Sequence, residues 1–283
     1  MTSTPPIGLL LDVDGPISST RTRTLRLDRL ADDLVAFAAA GCPVVLNTGR
    51  SAEFLADQIM PRLVRAGLAP TDPLWGVGEK GGTWFSLEDR GGSAYVGAVH
   101  EDHDLSPSEG LVAASQAIAE EFSDVVFFDD TKRTMISFEQ HVEVASDAFL
   151  ARRPDLIAAI ERRVSECGEE KRMSIYPTFI AVDIEHVDSG KALGAQRALE
   201  LLAERLDPPR RWFTAGDSGQ DYDMAEHLHA AGYEVTHLDV RLDGEVPDVP
   251  YAVIRERPAL DDGVAEDDLT ARHIARLRAE LGI

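Results

Sequence analysis

Short apolar runs that stop abruptly, each followed by a stretch with apolar residues three and four apart, set the rhythm of this chain. Leu9-Leu10-Leu11 ends in Asp12, and Gly15-Pro16 breaks the run, so residues 7–12 are predicted as a buried strand. Leu27, Leu30, Leu34 and Phe37 then recur at helical spacing, with Gly41 closing that helix. Residues 43–47 predict a second strand, Ser51 caps a helix running to about Arg65, and Leu74-Trp75-Gly76-Val77 reads as a third strand. Strands alternating with helices imply a parallel, doubly wound sheet.

The rhythm then changes. Gly81-Gly82, Gly91-Gly92 and the acidic stretch His100–Asp104 punctuate a boundary. Beyond it the pattern predicts a helix at about 107–121, strands Val125–Phe128 and Arg133–Phe138, a helix at about 154–166, and strands Arg172–Tyr176 and Phe179–Ile184. Paired strands with helices between them imply an antiparallel sheet covered on one face. Alternation resumes with a helix at 191–205, a strand at 211–215, a helix at 221–231, strands at 233–238 and 251–254, and a final amphipathic helix near 268–281. The expected class is α/β: a doubly wound, Rossmann-like parallel-sheet core from residues 1–90 and 186–283, with an α+β domain inserted at 91–185. The Asp/Glu-rich segment 256–268 is expected to be solvated surface.

Composition narrows the partners. With 283 residues and 44% hydrophobic content the chain can build a sizeable core. A net charge of −22 argues against nucleic acid, which rewards Lys and Arg, and against anionic membrane surfaces. A phosphate-handling site in such a chain must be locally positive. Cys42 and Cys167 are the two cysteines, read as reduced thiols, with Cys42 expected to be buried. The start, Met1–Pro6, has no basic stretch or apolar core of signal-peptide length, which leads to the expectation of a cytoplasmic protein, monomeric or homodimeric.

The chemistry concentrates where strands end. Asp12 and Asp14 stand in Asp12-Val13-Asp14-Gly15, at the carboxyl edge where open α/β sheets bind ligands. Two acids so close imply a divalent metal, a nucleophile beside a general acid, or both. Asn47-Thr48-Gly49-Arg50-Ser51 ends the second strand in a hydroxyl and a Gly turn, and Ser189-Gly190-Lys191 puts a lysine at a helix start. Phe213-Thr214-Ala215-Gly216-Asp217-Ser218-Gly219-Gln220-Asp221 is another strand ending in acids. Aspartates, a threonine and a lysine at these positions form a set suited to phosphoryl transfer.

In this order the four segments resemble the motifs of the haloacid dehalogenase superfamily. The long gap before the third resembles the Cof-like IIB subclass, which carries an α/β cap there. The resemblance implies Asp12 as nucleophile and Asp14 as general acid and then base. Thr48 and Gly49 would hold the phosphate, and Lys191 would neutralise charge. Magnesium would be held by Asp12 and Asp217, by the Asp14 backbone carbonyl, and by Asp221 directly or through water. Arg50 is a further phosphate-contact candidate, and Lys80, in Glu79-Lys80-Gly81-Gly82, faces the substrate or is turn surface. Pro16 and Gln220 stand where the family often has Thr and Asn. The second Asp speaks against a dehalogenase. The implied activity is hydrolysis of a small phosphorylated metabolite, a sugar phosphate or phosphoglycerate-type ester, through an aspartyl-phosphate intermediate. A phosphomutase, or a non-catalytic phospho-ligand binding or regulatory protein, remains an alternative.

The insert is expected to select the leaving group, with Lys132, Arg133, Lys171, Arg172 and His186 as candidate contacts. His100–Asp104 lacks the spacing of a metal site, and Trp75, Trp84 and Trp212 read as core.

Overall fold

A computed structural model describes residues 4–19, 22–258 and 263–283. In chain order the elements are β1 (Gly8–Leu11), α1 (Asp28–Ala39), β2 (Val44–Asn47), α2 (Ala52–Phe54), α3 (Met60–Arg65), β3 (Leu74–Gly78), β4 (Thr83–Arg90), β5 (Ser93–Val96), β6 (His100–Glu101), α4 (Glu109–Glu121), β7 (Val126–Phe128), β8 (Ile136–Gln140), α5 (Ser146–Glu166), β9 (Met173–Pro177), β10 (Ala181–His186), α6 (Lys191–Ala203), β11 (Arg211–Gly216), α7 (Tyr222–Ala230), β12 (Glu234–Asp239), β13 (Ala252–Ile254) and α8 (Glu266–Leu281). The chain divides into two units, Met1–His100 with Gly190–Ile283, and Glu101–Ser189.

In the first unit the sheet order is β13-β12-β11-β1-β2-β3-β4-β5. Strands β13 through β3 run parallel, and β4 and β5 are antiparallel additions at one edge. β1 lies at the centre, and every one of its residues is buried. Leu9 and Leu11 pack into one apolar layer with Leu34, Phe37 and Ile274, while Leu10 packs on the opposite face with Trp75, Trp212 and Met224. A strand buried on both faces reads as a continuous apolar run, which is why Leu9-Leu10-Leu11 shows no alternation. Burying each leucine side chain contributes about 2 kcal/mol.

In the second unit the strand order is β7-β8-β10-β9, all antiparallel. Phe138, Val182 and Ile184 pack with Leu111, Phe149, Leu156 and Ile160 of α4 and α5 in a separate core. Among the described residues, no helix is long and apolar enough to cross a membrane.

Several elements differ from the sequence expectation. Gly91 and Gly92, both at positive φ, form the tip of the β4–β5 hairpin, which remains with the first unit. The two units change over at 100/101 and 189/190. The helix expected from Ser51 to Arg65 is interrupted by a π-turn at Leu55–Ile59, where Met60 N–H reaches back to Leu55. Pro61, with no N–H to donate, follows Met60 in the first turn of α3.

The strand expected at 133–138 starts later, because Asp129 accepts both the backbone N–H and the hydroxyl of Thr131 and holds a turn. Helix α5 begins eight residues before Pro154 and runs through it, its first turns anchored by the fully buried Phe149. The acidic 256–268 segment is not uniformly solvated: Asp267 is completely buried and paired with Arg26 at 2.8 Å, and Glu256 binds His273 at 2.9 Å. Residues 259–262 of that segment, like Met1–Ser3 at the start, lie outside the described residues.

Candidate active site

Three neighbouring parallel strands deliver their last residues to one edge. Asp12 follows β1 and its N–H bonds to Ala215 of β11 at 2.9 Å; Thr48 follows β2 and bonds to Val77 of β3 at 2.9 Å. Asp217 follows β11. Parallel pairing alone brings Asp12, Thr48 and Asp217 to the same carboxyl edge, although 205 residues separate Asp12 from Asp217.

Lys191 arrives from the first turn of α6. That helix seats close to β2 because Gly194 has no side chain: a Cβ there would fall 2.0 Å from the Asn47 amide oxygen. The buried Lys191 ammonium lies 2.6 Å from Asp12 Oδ1 and 2.7 Å from Asp221 Oδ1, and donates to the Asn47 carbonyl at 2.9 Å. Asp221 is fixed in turn by the Ser218 backbone N–H and hydroxyl, both donating to its Oδ2. Two glycines admit the acids: a Cβ on Gly216 would sit 2.0 Å from Asp221 Cβ, and one on Gly15 would meet Asp217 Oδ2 at 2.4 Å.

Asp14 is half-buried and points to a different partner. Arg50 grips it with a fork, Nε to Oδ2 at 2.9 Å and Nη2 to Oδ1 at 3.2 Å, while the Arg50 backbone N–H donates to Thr48 Oγ1 at 3.0 Å. Ser51 caps the following helix by accepting from Phe54 N–H. The Glu79-Lys80-Gly81 turn is left-handed throughout, with φ of 50°, 55° and 98°. Such a conformation at two consecutive non-glycine residues is strained. It is held by Glu79 N–H on the Arg50 carbonyl, Lys80 N–H on the Thr48 carbonyl, and Gly190 N–H on the Lys80 carbonyl. Lys80 is buried, and its Cε comes within 3.7 Å of the place a Cβ on Gly49 would occupy. The turn thus joins the Thr48 loop to the entrance of α6.

The electrostatics are those of crowded acids around one cation. Burial first, and then Asp221, push the Asp12 carboxyl well above the ordinary carboxylate range, with Lys191 pulling the other way. Burial, followed by Asp221, lifts Asp217 to about 7. Burial alone would lower Lys191, but Asp12 and Asp221 outweigh it and hold the ammonium above its usual range. Asp12, Asp217 and Asp221 each offer an oxygen within 4.8 Å of the others. A buried, hard, all-oxygen donor set with more negative charge than one lysine balances fits a divalent cation such as magnesium.

The sequence-named residues therefore fall into groups. Asp12, Lys191, Asp217 and Asp221 come together, and Thr48, Gly49, Arg50 and Lys80 line the adjoining turns. The Asp14 side chain is outside the three-acid group that can share an ion. His100 stacks on Trp84 at 5.9 Å, with Arg197 over the same indole at 4.6 Å, so this tryptophan is half-buried between them, whereas Trp75 and Trp212 are core. Within the second unit, Arg172 pairs with Glu169 at 2.9 Å and donates to the Asp104 and Ser106 carbonyls, and His186 Nδ1 accepts from Asp188 N–H. Lys171 is exposed. Sequence reasoning quoted Asn47, Gly216 and Ser218 inside the motif segments without giving them a role, and did not name Gly194.

No family model and no curated protein matches the chain. Solved structures do. The C-terminal domain of Candida albicans trehalose-6-phosphate phosphatase aligns over 97% of this chain and 94% of its own, with 12% identity and a TM-score of 0.62. A haloacid dehalogenase-like hydrolase from Bacteroides thetaiotaomicron aligns over 96% and 98%, with 13% identity and a TM-score of 0.61. A trehalose-6-phosphate phosphatase related protein aligns over 97% and 99%, with 14% identity and a TM-score of 0.57. At such identities the likeness is one of fold: a parallel-dominated core sheet with a second, antiparallel sheet in an inserted unit.

Proposed function

We propose that this chain, which has the fold of haloacid dehalogenase-like hydrolases, is a magnesium-dependent phosphomonoesterase acting on a small phosphorylated metabolite. The observation that carries the reading is the Lys191 ammonium seated between Asp12 and Asp221 at 2.6 and 2.7 Å, with Asp217 in ligand range. In this reading one carboxylate is held for attack and the others hold a metal.

Asp12 attacks phosphorus, and the bond from phosphorus to the ester oxygen breaks with its electron pair on that oxygen. Asp14 gives the leaving oxygen its proton. Asp14, now a carboxylate, then takes a proton from water as the water oxygen attacks phosphorus, and the bond to Asp12 breaks to release inorganic phosphate. Thr48 Oγ1 and the Gly49 N–H hold the phosphoryl oxygens, and Lys191 and Lys80 stabilise their charge. Asp12, Asp217, Asp221 and the Asp14 carbonyl would hold magnesium, which when bound offsets the acid cluster's charge and keeps Asp12 ionised.

The position of residues 101–189 between the Thr48 and Lys191 segments supports a Cof-like IIB cap that selects the leaving group. The resemblance, together with solved neighbours described as trehalose-6-phosphate phosphatases, favours a sugar phosphate over a phosphoglycerate-type ester. The test is steady-state phosphate release from a panel of sugar phosphates and glycerate esters, with magnesium and with chelator. Absence of magnesium-dependent release from every ester, including 4-nitrophenyl phosphate, would reject the reading.

A further inference from the structure

The Arg50 fork has a role that the phosphate-contact expectation does not cover. Its Nε and Nη2 are both committed to Asp14, one to each carboxylate oxygen. Its guanidinium lies over the Phe54 ring, 4.9 Å from the centroid, and its side chain is 13% exposed. Its own backbone N–H donates to the Thr48 hydroxyl, and its carbonyl accepts from Glu79 at the start of the strained turn.

A two-point guanidinium–carboxylate pair fixes the plane of the carboxylate as well as its distance, which a single ammonium contact does not. Asp14 has no other restraint of this kind among its described side-chain bonds, and Gly15, at φ 86°, comes directly after it. Left alone, a half-exposed aspartate before a glycine turn would sample several rotamers.

We infer that Arg50 is a positioning residue for Asp14: it serves the leaving-group side of the reaction through that carboxylate rather than the phosphoryl group directly. This rests on the phosphomonoesterase reading. The fork fixes the plane of the Asp14 carboxyl, and the outer lone pairs that Arg50 does not use exchange the proton: from Asp14 to the leaving oxygen as the bond to phosphorus breaks, and from water to Asp14 in the second half. The same arginine ties the Thr48 hydroxyl to this arrangement through one backbone bond, so the residue that orients the acid also orients a hydroxyl that donates to the phosphoryl group.

The two roles separate by leaving group. A phosphoryl contact is shared by every ester, so its loss lowers turnover by one factor throughout. Loss of an aimed general acid harms esters of poor leaving groups most. The experiment measures kcat and KM with magnesium for the full chain on substituted phenyl phosphates graded from 4-nitrophenyl to 4-methoxyphenyl. Wild type, Arg50→Gln, Arg50→Lys, Asp14→Asn and the Arg50→Gln/Asp14→Asn double variant are compared, with thermal melts to verify folding.

The expected result is a kcat/KM loss in Arg50→Gln about tenfold greater for the 4-methoxyphenyl ester than for the 4-nitrophenyl ester. Arg50→Lys, which keeps the charge and loses the fork, should show the same tilt even if the glutamine variant does not fold. Asp14→Asn should show the tilt in full, and the double variant should add nothing to it. Equal losses of kcat/KM across the series would overturn the inference and return Arg50 to the phosphate. A tilt in the double variant equal to the product of the single ones would also overturn it. A wild type that hydrolyses none of these esters would instead remove the phosphatase reading, and this inference with it.

Discussion

Asn47 and Lys191 hold each other twice. The lysine ammonium donates to the Asn47 carbonyl at 2.9 Å, and the Asn47 side-chain amide donates to the Lys191 carbonyl at 3.1 Å. One bond aims the cation and the other anchors the first turn of α6 to the end of β2. The ammonium therefore reaches Asp12 and Asp221 from a fixed root, and most of its flexibility is removed before any substrate binds.

Replacing Lys191 by Met should abolish turnover and destabilise the fold. Asp12 and Asp221 would remain buried at close range without their counter-charge, which costs on the order of 3 kcal/mol. Urea denaturation monitored by circular dichroism reads the loss, and phosphate release reads the activity.

Asp12→Asn should reduce turnover to below about 1% of wild type, because on the proposed reading it removes the attacking anion from a nearly isosteric side chain. The melting temperature should stay close to that of wild type. Retention of more than a few per cent of activity would take Asp12 out of the nucleophile role.

Gly194→Ala should damage the site from behind. Its Cβ would fall 2.0 Å from the Asn47 amide oxygen, inside a fully buried contact. Either α6 or Asn47 must move, at a cost of about 1–3 kcal/mol. Turnover should fall with stability, since Lys191 moves with the helix. An unchanged melt and unchanged kcat would show that the contact is slack.

Magnesium should raise the melting temperature of the protein in the absence of substrate, and Asp217→Asn should weaken that response. At a hundredfold excess over its Kd, an ion that binds the native state alone adds about 2.7 kcal/mol. Differential scanning fluorimetry across a magnesium titration measures it. A variant with the wild-type midpoint would exclude Asp217 as a ligand.

His237 should make the fold acid-sensitive. Its imidazole is fully buried, shares a hydrogen bond with Thr214 at 2.8 Å and lies against the Tyr222 ring. Burial lowers it from 6.5 to about 4. Because the folded imidazole binds a proton less readily than the unfolded one, its contribution is fully present above pH 6.5 and is lost as pH falls toward about 4. The contribution is on the order of 3 kcal/mol. Urea midpoints measured between pH 7 and 4 should fall more steeply for wild type than for His237→Asn, and parallel curves would contradict the assignment.

Much of the site was legible in the chain because its residues stand where local patterns break. Asp12, Thr48 and Asp217 each come after an apolar run, and Lys191 opens a helix; strand ends and helix starts are short-range features. Parallel pairing then converts strand ends into one edge, so periods read locally pointed to residues that the fold brings together from distant segments. The central order of the alternating elements came from the same periodicities.

The tertiary structure decided the choices of partner. Nothing in Asp14-Gly15 or Gly49-Arg50 says that a guanidinium fork will close on that acid, because the pair forms only when β1 and β2 lie side by side. The left-handed Glu79-Lys80 turn is uphill locally and persists through three backbone bonds to segments far along the chain. Gly91-Gly92 suits a domain boundary and a hairpin tip equally, and pairing of β4 with β3 settled it. Pro154 suits a helix start, and burial of Phe149 drew the helix past it. Asp267 looks like solvated surface until Arg26 meets it from the other end of the chain. Local sequence sets each segment's period and its breaks. Long-range burial and hydrogen bonding determine which of the locally permitted partners each side chain takes, and a single linear pattern does not contain that comparison.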